Sequence, residues 1–366
     1  MISQWPEPVR RARELVMQYG WNATAYQIVN PGIDHWFSAN GDAVVGYVDS
    51  GGMRVVAGAP VSSENRLPAV IQEFEKASVD DGRGICYFGA EARLEGALRD
   101  SRDHSMALLG AQPAWRPASW IEKADSYSSV RAQFNRASNK GVTVREWPSA
   151  EATGSPRLQA VLNRWLEGRG LPPMHFLVEP STLERLDDRR IFVATRGVER
   201  GKTSDQILAF AVLSPVPARK GWLVEQFPRI PDAPNGTIEL LLRDAVRSVA
   251  DDGAEYLTLG LAPLARREGF AHSEPHWLKL GLRMTAAYGK RFYNFEGLES
   301  FKAKFHPDTW EPVYAIQRSR SFSPQALYAI AGAFASGPPL AILANGIARA
   351  AAQEVRWLRR KVRLTS

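Results

Sequence analysis

The stretch RFYNFEGLESFKAKFHPDTWEP, Arg291 to Pro312, holds six aromatic residues, four acids and three Lys or Arg in 22 positions. It is too polar for a core strand and too aromatic for a solvated loop. Lys302 and Lys304 offer cations to an anionic ligand. On a strand their spacing would put them on one face, and on a helix they would diverge. The bland reading of both is solvated surface charge. Elsewhere the reactive side chains are few. His272 and His276 lie four apart, a spacing that can aim two metal ligands from one helix face. No Cys lies near them and no acid is placed to complete the set, so they read as surface or packing histidines and no metal is expected. Cys86 sits in the apolar run GICYFGA and reads as an inert core thiol. The chain has no G-x-x-x-x-G-K-[ST] loop, no G-x-G-x-x-G after a strand, no G-x-S-x-G elbow and no H-E-x-x-H. What remains is group transfer by direct attack, or no catalysis at all.

Those residues must be held by elements that the rest of the chain supplies. A length of 366 residues suggests about two domains, and 45% hydrophobic with 23% charged residues gives each an ordinary core. The single cysteine leaves no internal disulfide and no Cys-rich zinc site, so the chain reads as cytoplasmic. MISQWPEPVRRARELV has no apolar core, so no signal peptide is expected. A net charge of +7 favours polyanionic partners such as RNA, DNA or anionic lipid head groups, or marks a basic but otherwise ordinary enzyme.

Two stretches resemble each other. Each begins with a strand-like run, Met53 to Ala57 and Trp222 to Phe227, followed by a Pro-containing loop. Then comes a segment with apolar residues three and four apart: Leu67, Val70, Ile71, Phe74 and Ala77 in one, Ile238, Leu241, Leu242, Val246 and Val249 in the other. That spacing predicts amphipathic helices. Both stop at Asp-Asp-Gly, Asp80 to Gly82 and Asp251 to Gly253, where glycine suits a left-handed cap. A buried strand follows each, Gly84 to Phe88 and Tyr256 to Leu259. This strand, helix, strand order, repeated at an offset of about 171 residues, suggests a tandem duplication. Further strands are expected at Val142–Glu146, Arg190–Thr195 and Ile207–Leu213, with a helix at Ser155–Leu166.

The run ALYAIAGAFASGPPLAILANGIA, Ala326 to Ala348, is uncharged. Gly337-Pro338-Pro339 interrupts it, so two short helices are expected, Pro324–Ser336 and Leu340–Arg363. The second ends in EVRWLRRKVRLTS. Trp357, Arg359, Arg360 and Lys361 there suit an interfacial membrane contact, or the solvated tip of a packed helix. Removal of Pro324–Ser366 is then expected to leave the fold intact and abolish vesicle binding.

FYNFEGLESFKAKFHPDTWEPVYAI resembles the end of the phosphatidylglycerol lysyltransferase C-terminal domain family, the cytosolic synthase part of the multiple peptide resistance factor. The family shows Phe-Tyr-Asn-Phe-x-Gly-Leu, then Lys-x-Lys, then Trp-Glu-Pro and Tyr. Here these are Phe292, Tyr293, Asn294, Phe295, Gly297, Leu298, Lys302, Lys304, Trp310, Glu311, Pro312 and Tyr314. FNRASNKGVTVRE, LPPMHFLVEP, APNGTIELLL and LTLGLAPLA match further family segments in order. The resemblance covers roughly residues 40 to 318. It implies an α/β (α+β) fold of two tandem acetyltransferase-like (GNAT) domains, with boundaries expected at 1–154 and 155–320, the second catalytic, and C-terminal basic helices at 321–366. It also implies a reaction, transfer of an amino acid such as lysine from a charged tRNA to the hydroxyl of a lipid such as phosphatidylglycerol. The aminoacyl ester is already activated, so no cofactor is expected. The implied partners are aminoacyl-tRNA and an anionic lipid or membrane surface, with the protein peripheral on the inner face of the cell membrane.

By the resemblance, Glu225 in WLVEQFPR stands where the family carries Asp, and Arg229 near the family's Arg, displaced by Pro228. Glu225 becomes the candidate to orient the attacking hydroxyl or the substrate ammonium, or else a strand-end acid in a salt bridge. Arg229, Lys302 and Lys304 become candidate phosphate contacts. Tyr293 and Asn294 can line the site by hydrogen bonding, and Glu296 can pair with Lys302 or meet an amino group. Asn235 and Gly236 can offer backbone N–H groups to an anion at a helix start, or form only a turn and cap. In the first half, Ala59 stands where the family carries Asp in Gly-Asp-Pro, which suggests a site partly lost there. Two other readings stay open: an acetyl-CoA-dependent acyltransferase, disfavoured by the lack of a Q/R-x-x-G-x-G/A loop, and a non-catalytic RNA- or lipid-binding protein.

Overall fold

The computed structural model describes residues 5–168, 175–197, 205–265, 267, 270 and 295–335. The strands are β1 Asp34–Phe37, β2 Val44–Ser50, β3 Met53–Ala57, β4 Gly84–Ala90, β5 Ser105–Trp115, β6 Val142–Trp147, β7 Arg190–Arg196, β8 Gln206–Val216, β9 Gly221–Gln226, β10 Tyr256–Thr258, β11 Ala262–Pro263 and β12 Thr309–Gln317. The helices are α1 Glu7–Tyr19, α2 Leu67–Asp80, α3 Ala92–Leu98, α4 Pro117–Ala124, α5 Ser128–Ser138, α6 Ser149–Ala152, α7 Pro156–Glu167, α8 Thr237–Asp251, α9 Phe295–Ala303 and α10 Pro324–Ala335.

The repeat read from sequence is real at the level of elements. Leu67, Val70, Ile71 and Phe74 of α2 are buried, as are Ile238, Leu241, Leu242 and Val246 of α8. Past each helix, Gly82 at φ 69° and Gly253 at φ 79° take the left-handed conformation that a side chain would resist. In both halves the helix returns the chain to a parallel strand, β4 beside β3 and β10 beside β9. The other strand pairs are antiparallel. The two halves therefore share a strand, helix, parallel-strand plan, each with one parallel pair.

The halves share one sheet, in the order β1-β2-β3-β4-β12-β5-β10-β9-β8-β7-β6, with β11 also on β5. β12 comes last in the chain but lies between β4 and β5, and β5 in turn pairs with β10. Each half thus completes the other's sheet, and no strand edge is left at their junction.

The stretch from Arg291 divides in two. Its described part begins as α9, turns at His306 (φ 50°) and enters β12. Two of its aromatics serve packing: Phe301 stacks on Phe227 at 5.6 Å between centroids and meets Phe305 edge-on at 5.3 Å. The indole N–H groups of Trp115 and Trp120 both donate to the Phe305 carbonyl, at 3.0 and 2.6 Å.

α10 falls where the first C-terminal helix is expected, but it is part of the core. Ala326, Ala329, Ile330 and Ala333 are buried with Val55 and Cys86, and Phe334 meets Phe88 and Phe176 edge-on. Removal of Pro324–Ser366 would strip this packing, which corrects the expectation that the whole segment is dispensable. The second expected helix, with Trp357, Arg359, Arg360 and Lys361, lies outside the described residues, as do His272 and His276. Among the described residues no helix is long and apolar enough to cross a membrane.

Candidate functional site

Parallel strands β9 and β10 pair only over Gly221–Leu223 and Tyr256–Thr258. Beyond that β9 runs on to Gln226, while the other chain turns away toward β11 at Gly260, φ 69°. Parting two strands orphans backbone acceptors, which must find donors if buried. Lys302 supplies them. Its Nζ donates to the carbonyls of Leu259, Gly260 and Leu261, each at 2.8 Å. An ammonium has three N–H groups, so all are committed. Burial pushes this amine down to about 7, and the three aligned carbonyls favour its charged form. The phosphate contact expected of Lys302 is therefore replaced by a structural one. Lys304 follows the end of α9 and diverges from Lys302 as helix geometry requires. It pairs with Glu239 of α8, with Nζ 4.2 Å from the Phe301 ring centroid.

Glu225 lies near the end of β9 on the same face as Leu223. Its side chain is 8% exposed, against 0% for that of Arg189, which clamps it. Arg189 Nε donates to Oε2 and Nη2 to Oε1, both at 3.0 Å. The Gln27 side-chain amide donates to Oε1 as well, and to Ser214 Oγ at 3.0 Å. Asn30 Oδ1 accepts from Arg189 at 2.9 Å. Beside this cluster, Arg13 and the Tyr26 hydroxyl both donate to Asp188. The salt-bridge alternative for Glu225 is thus realised, with partners 36 and 198 positions away. The carboxylate still has acceptor capacity on Oε2, and buried Gln27 Oε1 has no partner among the described residues. These two oxygens could orient an ammonium or a hydroxyl.

Arg229 is exposed, and its backbone bridges to Ala209. Its side chain makes no hydrogen bond or ion pair with Glu225, whose partners among the described residues are Arg189 and Gln27. Asn235 is exposed and Gly236, at φ 91°, is buried before α8. A Cβ at Gly236 would lie 2.1 Å from the Gln133 carbonyl oxygen, so the α5 backbone occupies the space at this helix start. Thr237 Oγ1 donates to the Pro234 carbonyl at 2.6 Å within this turn, and among the described residues no side chain caps the N–H groups of α8. Tyr293 and Asn294 lie outside the described residues, as does the side chain of Glu296. Cys86 is fully buried, and burial pushes its thiol up to about 12.

A second cluster joins the halves. Arg219, in the turn between β8 and β9, reaches Glu311 of β12 through two guanidinium hydrogen bonds, one at 2.9 Å. It lies over the Tyr256 ring, 3.4 Å from its centroid, and 4.8 Å from that of Trp21. Tyr256 O–H and Gln112 Nε2 each donate to Glu311 Oε2 at 3.1 Å. Burial opposes ionisation of Glu311, but Arg219, Gln112 and Tyr256 hold it below the usual carboxylate range. Glu91 is the odd carboxyl, 3.5 Å from Arg219 and accepting the Ala23 N–H at 2.7 Å. Burial raises it first and Glu311's charge adds, to about 8, despite Arg219. Between its ordinary value and about 8 the folded chain keeps a proton that the unfolded chain has lost, so stability falls as pH rises through that window. Glu91→Gln keeps the acceptor for Ala23. It is expected to exceed wild type by about 2 kcal/mol or more in urea unfolding at pH 9, with no advantage at pH 4.5. An equal difference at both pH values would rule out a proton on Glu91.

Ala59 lines a small open hollow in the first half, with Trp21, Asn22, Ser62, Glu64 and Arg93. Sequence reasoning missed Gln27, Arg189, Arg219 and Glu91. Each acts on a residue at least 36 positions away, so no local spacing marks it. Glu311 alone carried a signal, as the acid of the Trp-Glu-Pro motif. Among the described residues no group of three or more His, Cys, Asp or Glu is placed to hold a metal.

Two similar halves that share one sheet, with polar clusters joining them, define the α/β class of the protein. Within that class, the chain belongs to the phosphatidylglycerol lysyltransferase C-terminal family, whose model matches residues 13–317. The phosphatidylglycerol lysyltransferase of Bacillus subtilis is 23% identical over 304 residues, covering 79% of this chain and 32% of that one. The chain spans 26–39% of the length of the first curated relatives it matches. A crystal structure of the C-terminal domain of an Agrobacterium fabrum protein assigned as a lysylphosphatidylglycerol synthetase superposes with TM-score 0.74 at 24% identity, covering 90% of this chain and 98% of that one. L-PGS from Bacillus licheniformis gives 0.71 at 20% identity, covering 93% and 96%. At those identities the two superpositions speak to the fold.

Proposed function

We propose that the protein is an aminoacyltransferase that moves an amino acid, lysine or one like it, from a charged tRNA to the hydroxyl of a lipid such as phosphatidylglycerol, at an anionic membrane surface. Family membership supports the reaction class. The observation that carries the site is Glu225, fixed by Arg189 and Gln27 yet with an acceptor position still open on Oε2. The lipid hydroxyl oxygen attacks the aminoacyl carbonyl carbon, and a new ester C–O bond forms. The bond to the tRNA ribose oxygen breaks, and the proton of the attacking hydroxyl ends on that oxygen. One ester replaces another, so the exchange needs no further energy source. Glu225 and Gln27 would orient the attacking hydroxyl or the substrate ammonium, a geometric contribution that a misplacement of about 1 Å can cancel.

The test mixes the protein with tRNA charged with labelled amino acids and with phosphatidylglycerol vesicles. RNase-sensitive label in the organic phase is expected, and Glu225→Gln should slow its appearance about 100-fold. Absence of label from every amino acid, or full activity in Glu225→Gln, would refute the reading or the site respectively.

A further inference from the structure

About half of the described guanidinium groups are tied to carboxylates, among them Arg13 to Asp188, Arg54 to Asp81, Arg66 to Asp42 and Arg190 to Glu146. The segment Ser126 to Arg145 combines several that are not. It contains no Asp or Glu, and its Arg131, Arg136, Lys140 and Arg145 are all exposed. Arg131 donates to the Asp125 backbone carbonyl at 2.9 Å and Arg136 to the Gln133 side chain at 3.3 Å, both neutral acceptors. None of the four has an ion-pair partner among the described residues.

α5 orders this charge. Val130, Phe134 and Ala137 face inward, with Arg243 of α8 over the Phe134 ring at 5.0 Å. Residues three and four apart then share the outer face: Ser128, Arg131, Ala132, Asn135, Arg136 and Asn139, all exposed. The helix is anchored at two points. Its Gln133 carbonyl abuts Gly236 at the start of α8. Tyr127, just before it, stacks on His306 at 4.0 Å between centroids, four residues past Lys302. A basic, acid-free helix face therefore lies on the second half, held against the start of α8 and the turn after α9.

We infer that the outer face of α5 with Lys140 docks the phosphate backbone of an RNA, the aminoacyl-tRNA of the proposed reaction. This rests on the proposed reaction for the identity of the RNA. Arg, Lys, Ser and Asn are the side chains that contact nucleic-acid phosphates. A bilayer contact would need large apolar side chains on the same face, and this one has none larger than alanine.

The test is direct binding of uncharged tRNA, followed by fluorescence anisotropy across a salt series. Wild type should bind, with affinity falling steeply with salt. Arg131→Ala/Arg136→Ala/Lys140→Ala should bind at least about 10-fold more weakly at low salt, with the slope of log affinity against log salt reduced by roughly 2–3, as loss of three phosphate contacts requires. Arg131→Lys/Arg136→Lys should retain most of the slope. Unfolding of the triple variant should match wild type, since these side chains support no core. Unchanged affinity and slope in the triple variant, no tRNA binding by wild type, or loss of anionic-vesicle binding with tRNA binding intact would each overturn the proposal. Lipid transfer by the same wild-type preparation separates the two ideas. Transfer with unaltered tRNA affinity in the variant sinks only the docking face. Tight, α5-dependent tRNA binding without transfer sinks only the reaction.

Discussion

Lys302→Met is expected to destabilise the fold by about 3–5 kcal/mol in urea unfolding at pH 6, where the amine is mostly charged. Methionine preserves most of the aliphatic volume and removes every donor. The carbonyls of Leu259, Gly260 and Leu261 would then be left buried at the place where β9 and β10 part. An unsatisfied buried acceptor costs about 1–3 kcal/mol, and three neighbours share the cost imperfectly. The midpoint should move to lower urea with an unchanged slope. A loss under about 1 kcal/mol would mean that water reaches the three carbonyls and that Lys302 is free for another role. The expected outcome keeps Lys302 as the residue that holds the cleft open, while ligand contact falls to other side chains.

Arg189→Met should cost about 3–5 kcal/mol as well, for a different reason. It leaves the buried Glu225 carboxylate without its cation, and breaking one side of a buried ion pair is far worse than lacking the pair. Arg189→Met/Glu225→Leu should therefore recover most of the loss, so that the double variant is more stable than Arg189→Met alone. Additive losses would show that the two residues act separately. The cycle also separates fold from function. The double variant should fold near wild-type stability and still fail to transfer label, because the oriented carboxylate is gone. Asn30 and Gln27 hold the same cluster from the first half, so stability and the site are coupled across the junction.

Much of the fold could be read from local pattern. The three-and-four spacing at Leu67, Val70, Ile71 and Phe74, and at Ile238, Leu241 and Leu242, reports which face of a helix is buried, whatever it packs on. Asp-Asp-Gly marks a helix end because glycine alone takes positive φ cheaply. Strands β6, β7 and β8 were visible because each is a short apolar or alternating run. β5 was not anticipated. It passes through Gly110 and Pro113, which weaken any strand signal, and it is held by neighbours on both sides rather than by its own propensity. The position of β12 between β4 and β5 was equally hidden, since a duplication suggests two self-contained units and says nothing of exchanged strands.

The amino-acid sequence by itself determined the family, the doubled α/β plan, the buried thiol and the basic character of the chain. These depend on residue identity and short-range order, which a linear string carries in full. The tertiary structure alone decided what the charged residues do. It turned Lys302 from a ligand contact into a donor for three carbonyls, gave Lys304 to Glu239, closed the start of α8 with the α5 backbone and locked Glu225 between Arg189 and Gln27. The sequence lists charges without partners. Whether a charge meets a substrate, a carbonyl or another charge depends on burial and on residues up to about 200 positions away, and only the packed chain brings those into hydrogen-bond contact.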